Sequence, residues 1–203
     1  VNLTVALSNP SSDTVSIDLA TTNGTAVNDL DYSSYFATVV FNPGETSKSI
    51  SISVLADTLD EFDETFNIVL SNAVNASIAD ASALVTIIDS DVAPSLSLVA
   101  PVSVNEGENV QYQVTLSNIS AKDISFGYQI AGVSSNDVNT TTGVVNIPAG
   151  TKSTSFIVSA LEDNLVEVNE TIELSLSNAE NVKIDSSIYI TELVNTTIAE
   201  INI

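Results

Sequence analysis

The sequence predicts an all-β protein: two tandem immunoglobulin-like antiparallel β-sandwiches joined by a short linker. Three observations lead there. Apolar residues alternate with Ser, Thr and Asn at period two, turn residues interrupt that alternation at short intervals, and the whole pattern recurs about a hundred residues further on.

The recurrence sets the domain count. "ADTLDEFDETFNIVLSN" (56–72) returns as "EDNLVEVNETIELSLSN" (162–178), an offset of 106 with eight of 17 positions identical. "VALSN" (5–9) returns as "VTLSN" (114–118) at an offset of 109, so the copies differ by about three residues in one loop. In copy one the strands read as Val1/Leu3/Val5/Leu7, Val15/Ile17/Leu19, Ile50/Ile52/Val54, Phe66/Ile68/Leu70 and the segment Ala83 to Ile88. Copy two echoes them in Val110/Tyr112/Val114/Leu116, Phe156/Val158/Ala160 and Ile172/Leu174/Leu176. Turn chemistry separates them: "NPSSD" (9–13), "TNG" (22–24), "NPGE" (42–45) and "PAG" (148–150). Many short strands without a helical period make a two-sheet sandwich. The boundary falls near "DSDVAPS" (89–95), giving repeats over 1–92 and 93–203 and a linker short enough to be semi-rigid.

The ends of the copies differ. Copy two opens with "SLSLVAPVSVNEGENVQYQVTLSN": a first strand, a kink at Pro101 and a second strand. Copy one starts at the equivalent of "VQYQVTLSN" and so lacks its first strand, while copy two stops at "AEINI". A sandwich without that strand exposes unpaired backbone. Either a neighbouring repeat or subunit supplies it, or the chain is part of a longer array. The absence of methionine favours the longer array.

Composition narrows the function. Apolar residues make up 44%, enough for packed cores. Twenty-six acids against four lysines give a net charge of −22, which repels nucleic acid and anionic membranes and calls for bound counter-ions. With no Cys and no His there are no disulfides, no thiolate or imidazole catalysis and no usual zinc or copper site. No apolar run approaches membrane-span length, so no membrane insertion is expected.

The acids cluster in copy one: Asp57, Asp60, Glu61, Asp63 and Glu64 in one loop, Asp89 and Asp91 after the last strand, Asp29 and Asp31 in "NDLDY". Such a cluster is either a solvated face or a site for a hard divalent cation, which wants roughly six to eight oxygens. The regular spacing and turn glycine of an EF-hand are missing, so any site must be assembled between loops. Glu61 with Glu64 could be imagined as a glycosidase acid/base pair, but nothing else suggests a catalytic cleft and no enzyme is expected.

"GTAVNDLDY" (24–32), "FNPGETSKSISISVLADTLDEFDETFNIVLSNA" (41–73) and "TIIDSD" (86–91) together resemble the Calx-beta domain, and "NEGEN" (105–109) resembles that family's opening Glu-Gly. The resemblance covers nearly all of copy one and, more weakly, copy two. It implies sandwiches that bind Ca²⁺ at one tip. Carried over by position, the implied metal ligands are Asp31, Asp57, Glu61, Glu64, Asp89 and Asp91 in copy one. In copy two they are Glu106, Asp137, Glu162, Asp163, Glu167 and Glu170, without the terminal aspartates. Asp60 and Asp63 alternate with the implied ligands and are expected to face solvent. The function expected is a non-enzymatic, calcium-binding structural module of a larger secreted or cell-surface bacterial protein such as an adhesin stalk or filament. Calcium would rigidify the tips and junction, and neighbouring repeats or subunits would be the partners. A regulatory calcium sensor, or a filament subunit assembled by strand donation, is the alternative.

Overall fold

The structure, a computed structural model, describes residues 1–163 and 165–201. By internal contacts it divides into two units: Val1–Thr58 with Phe62–Ser90, and Leu59–Glu61 with the chain from Asp91 onward. Every regular element among the described residues is a β-strand.

The first unit holds β1 (Asn2–Ala6), β2 (Val15–Asn23), β3 (Phe36–Phe41), β4 (Ser47–Ser51), β5 (Glu64–Val74) and β6 (Ser82–Ile87). Four of them form an antiparallel sheet in the order β3-β2-β5-β6, and β1 pairs with β4 in a two-stranded sheet. The period-two pattern places Val15, Ile17 and Leu19 of β2, Val39 and Phe41 of β3, and Phe66 and Ile68 of β5 in one core. Leu3, Val5 and Ile50 pack against it from the small sheet but stay only half-buried.

The second unit holds β7 (Ser95–Val99), β8 (Ser103–Asn105), β9 (Asn109–Leu116), β10 (Ile124–Ala131), β11 (Thr142–Ile147), β12 (Ser153–Ser159), β13 (Glu170–Glu180), β14 (Lys183–Ile184) and β15 (Ile188–Val194). Its sheets run β11-β10-β13-β15-β8 and β12-β9-β7-β14. Alternation along β9 is strict: Val110, Tyr112, Val114 and Leu116 are all buried, in one core with Phe126, Ile172 and Leu174 of the other sheet. Phe156 carries an aromatic ladder, with ring centroids 5.0 Å from Tyr112 and 4.8 Å from Tyr128.

The segment around Pro101 does more than kink. β7 pairs antiparallel with β9 and parallel with β14, whereas β8 pairs parallel with β15 in the opposite sheet. Proline cannot donate to a ladder, so the chain leaves one sheet there and is free to join the other. Leu96 and Leu98 of β7 are 2% and 6% exposed, each worth about 2 kcal/mol of apolar burial.

The repeat extends to backbone irregularities. Both copies carry a register shift in the equivalent strand, between Ser16 and Asp18 and between Ser125 and Gly127. Asn72 and Asn178 have φ of 54° and 49°, and Asn75 and Asn181 have φ of 60° and 58°. Asparagine is among the few non-glycine residues that tolerate this left-handed region, which explains why "LSN" recurs with its asparagine intact.

Candidate metal centre

In the first unit the loop from Gly24 to Tyr32 is anchored by its aromatic end. Tyr32 is 1% exposed, its ring lies flat on Phe66 at 4.1 Å between centroids, and its hydroxyl donates to Asn23 Oδ1 at 2.6 Å. Gly24 is required by close approach, because a Cβ there would run into the backbone carbonyl of Thr65; Gly132 stands in the same relation to Thr171. Asp31, next to Tyr32, accepts a 2.7 Å bond from the Val27 amide through Oδ2, and its carbonyl accepts the Leu55 amide at 2.9 Å. The latter bond ties it to the start of the acidic loop. Glu64 opens β5 two residues before Phe66, on the same strand face.

Asp31, Glu61 and Glu64 consequently offer carboxylate oxygens within 4.8 Å of one another, all partly shielded from solvent. That close group does not include Asp57, Asp89 or Asp91, each of which has interactions of its own. The Asp89 amide donates to Asp63 Oδ1 at 3.1 Å, so exposed Asp63 holds the chain as it leaves β6.

Asp60 corrects the sequence reading. Expected in solvent, it is 4% exposed, accepts 2.7 Å bonds from Ser120 Oγ and Lys122 Nζ, and belongs with the second unit. Its partner lies 62 residues away in sequence, so alternation within the loop carried no sign of it.

The second unit builds a matching group from Asp137, Asp163 and Glu167, again with oxygens within 4.8 Å. Asp137 and Glu167 stand 106 residues after Asp31 and Glu61, while Asp163, the counterpart of Asp57, takes the third place. Asp137 is buried, accepts the Ser134 amide at 2.7 Å, and its carbonyl accepts the Leu161 amide as Asp31 accepts Leu55. Lost solvation, then the charges of Asp163, Asp137 and Glu106, push Glu167 above its ordinary value. Glu170 is pushed up by lost solvation and by the charge of Asp137 and its hydrogen bond, and its Oε2 is buried without a hydrogen-bond partner. Glu106, 9% exposed, accepts Asn195 Nδ2 and the Thr196 amide, both at 3.3 Å. Glu162 lies outside the close group, against Gly107.

Two participants escaped the sequence reading. At the offset of 106, Asn195 stands where copy one has Asp89, and Thr197 where it has Asp91. Asn195 braces Glu106, and Thr197 Oγ1 donates to the Asp163 carbonyl at 3.2 Å. Only the alignment of the copies could have found them, since neither is acidic.

The donors are all oxygen, mostly carboxylate, with no imidazole or thiolate in the chain. Such a set fits a hard cation of the calcium or magnesium kind, which would offset the lost solvation and the neighbouring negative charges that raise Glu167 and Glu170. The chain is therefore built of antiparallel β-sandwiches and carries two acidic oxygen groups, each with a fit for a hard divalent cation.

The chain belongs to the Calx-beta domain family, whose model matches residues 1–91 and 100–203. Sodium/calcium exchanger 1 of Canis lupus familiaris and of Bos taurus each share 46% identity over 59 residues, 29% of this chain. That match spans only 6% of those relatives' length. Among solved structures, CBD12 from CALX1.2 aligns with 19% identity and a TM-score of 0.44, covering 88% of this chain and 73% of that one. The calcium binding domain CBD12 of CALX1.1 aligns with 14% identity and a TM-score of 0.46, covering 95% and 92%.

Proposed function

We propose that this chain is a non-enzymatic calcium-binding module in which Ca²⁺ closes the acidic loops of each sandwich. The observation that carries the reading is the recurrence of a three-carboxylate group in both copies, Asp31–Glu61–Glu64 and Asp137–Asp163–Glu167, each with oxygens within 4.8 Å. Without a cation these carboxylates repel, so binding couples to loop order and stability. The role proposed is structural: stiffening repeats of a larger secreted or cell-surface protein of the adhesin-stalk or filament type, with neighbouring repeats or subunits as partners. A net charge of −22 suits a calcium-rich medium, where divalent ions offset self-repulsion.

The similarity to sodium/calcium exchanger 1 over 59 residues favours a second reading, a regulatory calcium sensor. Affinity separates the two: sensor sites work at roughly 10⁻⁷–10⁻⁵ M and extracellular modules at roughly 10⁻⁴–10⁻³ M. The test is calorimetric titration of the chain with calcium, with magnesium as control, beside melting curves in calcium and in chelator. Saturable calcium heat and a higher melting temperature are expected, both reduced in Glu61→Ala/Glu64→Ala. No heat and superimposable melts would refute calcium binding.

A further inference from the structure

In the first unit β3 ends its sheet: it pairs with β2 on one side, and among the described residues no strand pairs with its other side. The position is intrinsic to the repeat, because β11, its counterpart 106 residues on, ends its own sheet as well. The pairing with β2 shows which backbone groups are left over. The Thr21 amide donates to the Tyr35 carbonyl at 2.9 Å, so these two residues form a hydrogen-bonded pair. Such pairs alternate along an antiparallel ladder, which makes Leu19–Ala37, Ile17–Val39 and Val15–Phe41 the next ones. The amides and carbonyls of Phe36, Thr38 and Val40 therefore point away from β2, along the free edge. The side chains of the same three residues stand on the outward face, with Phe36 74% and Val40 44% exposed.

Natural edge strands are guarded by charge, proline or a bulge. β3 has none of these. It reads Phe-Ala-Thr-Val-Val-Phe, all but the alanine strand formers, and its register against β2 is unbroken. The counterpart β11 reads Thr-Gly-Val-Val-Asn-Ile, so Thr142 and Asn146 replace the apolar Phe36 and Val40, and Gly143 weakens the strand. β4, in the other sheet of the first unit, carries Lys48.

The pattern of β3 is its own complement. A second β3 laid antiparallel about a two-fold axis through Thr38 puts Phe36 opposite Val40 of the other copy, and Thr38 opposite Thr38. All three resulting pairs bring leftover amides to leftover carbonyls, two bonds to a pair. Ala37 then meets Val39, so core-facing residues stay on the core side and outward ones on the outward side. Charge does not oppose this register at the axis. Asp18, beside Thr38, already accepts the Thr38 hydroxyl at Oδ1 and Asn72 Nδ2 at Oδ2. We propose that β3 is a self-association edge, through which two copies of the chain join their first units into one continuous sheet. The contact is isologous and uses up both edges, so it stops at two copies. One short edge buries less area than a permanent dimer needs, and each copy carries −22, so the dimer is weak and strengthens with salt.

Sedimentation velocity of the whole chain tests this, in chelator so that calcium plays no part. Protein is raised to about 1 mM, the range of weak contacts, in about 1 M salt, which shortens the Debye length to about 3 Å. A monomer–dimer equilibrium is expected. Phe36→Lys should weaken it about tenfold, because two aromatic–β-branched pairs across the edge are lost. Val40→Glu should weaken it likewise, and Val144→Lys on β11 should leave it unchanged. All three positions are exposed, so melting curves should match the parent. Mixing the Phe36→Lys and Val40→Glu chains at low salt should restore dimers, since the new charges then lie directly opposite. A chain that stays monomeric, dimers indifferent to Phe36→Lys, a mixture that stays apart, or growth beyond two copies would overturn the proposal.

Discussion

The ring of Tyr32 lies 4.1 Å from that of Phe66, tilted by 10°, and both are out of solvent. Asp31 precedes one and Glu64 lies two residues before the other, so a single stacked pair sets the separation of two candidate ligands.

Tyr32→Ala should therefore do two things. Loss of a buried aromatic costs about 3–5 kcal/mol, and the calcium-dependent rise in melting temperature of the first unit should shrink with it. Tyr32→Phe keeps the stack and loses only the bond to Asn23, a cost of about 1 kcal/mol with the calcium response retained. Urea melts with and without calcium read both.

Gly24→Ala and Gly132→Ala place a methyl group against the carbonyls of Thr65 and Thr171. Backbone must move in each case, at about 1–3 kcal/mol, and it moves beside Glu64 or Glu170. Denaturant midpoints should fall for both, each in its own unit.

Asp60 and Lys122 form an ion pair 2.7 Å long with side chains 4% and 16% exposed. Lys122→Ala leaves a buried carboxylate without that counter-charge, and about 3 kcal/mol of stability should be lost. Combining Asp60→Asn with Lys122→Met should recover part of it, because the buried charge is gone. A double-mutant cycle in urea measures the recovery.

Glu167 and Glu170 titrate above their ordinary value in the folded chain, so between the unfolded and folded values the native state binds more protons. Their contribution is fully present below the unfolded value and lost as pH rises through the folded one. In chelator the second unit's melting temperature should therefore climb as pH drops from neutral toward the carboxylate range. Calcium should reverse the trend, since protons then compete with the ion, and Glu167→Gln/Glu170→Gln should flatten it.

Much of this arrangement was legible because the chain states it twice. The echo of 56–72 in 162–178 located β5 and β13, and the Calx-beta resemblance pointed to Asp31, Glu61 and Glu64 in order. What the echo could not show were partners that differ between copies. Asp60 aligns with Val166, so its ion pair has no counterpart to betray it, and Asn195 replaces an aspartate with a neutral brace. Nor does alternation say which sheet a strand joins, so the transfer of β8 across the sandwich depended on backbone pairing that no single segment encodes.

That transfer has a mechanical consequence. β8 and β15 run parallel near opposite ends of the second unit's chain, so tension along the polypeptide slides one past the other. Hydrogen bonds loaded in this way share the force and give way together, instead of opening one after another like a zip. Stretched end to end, the second unit should hold until the whole of this parallel pairing gives way at once.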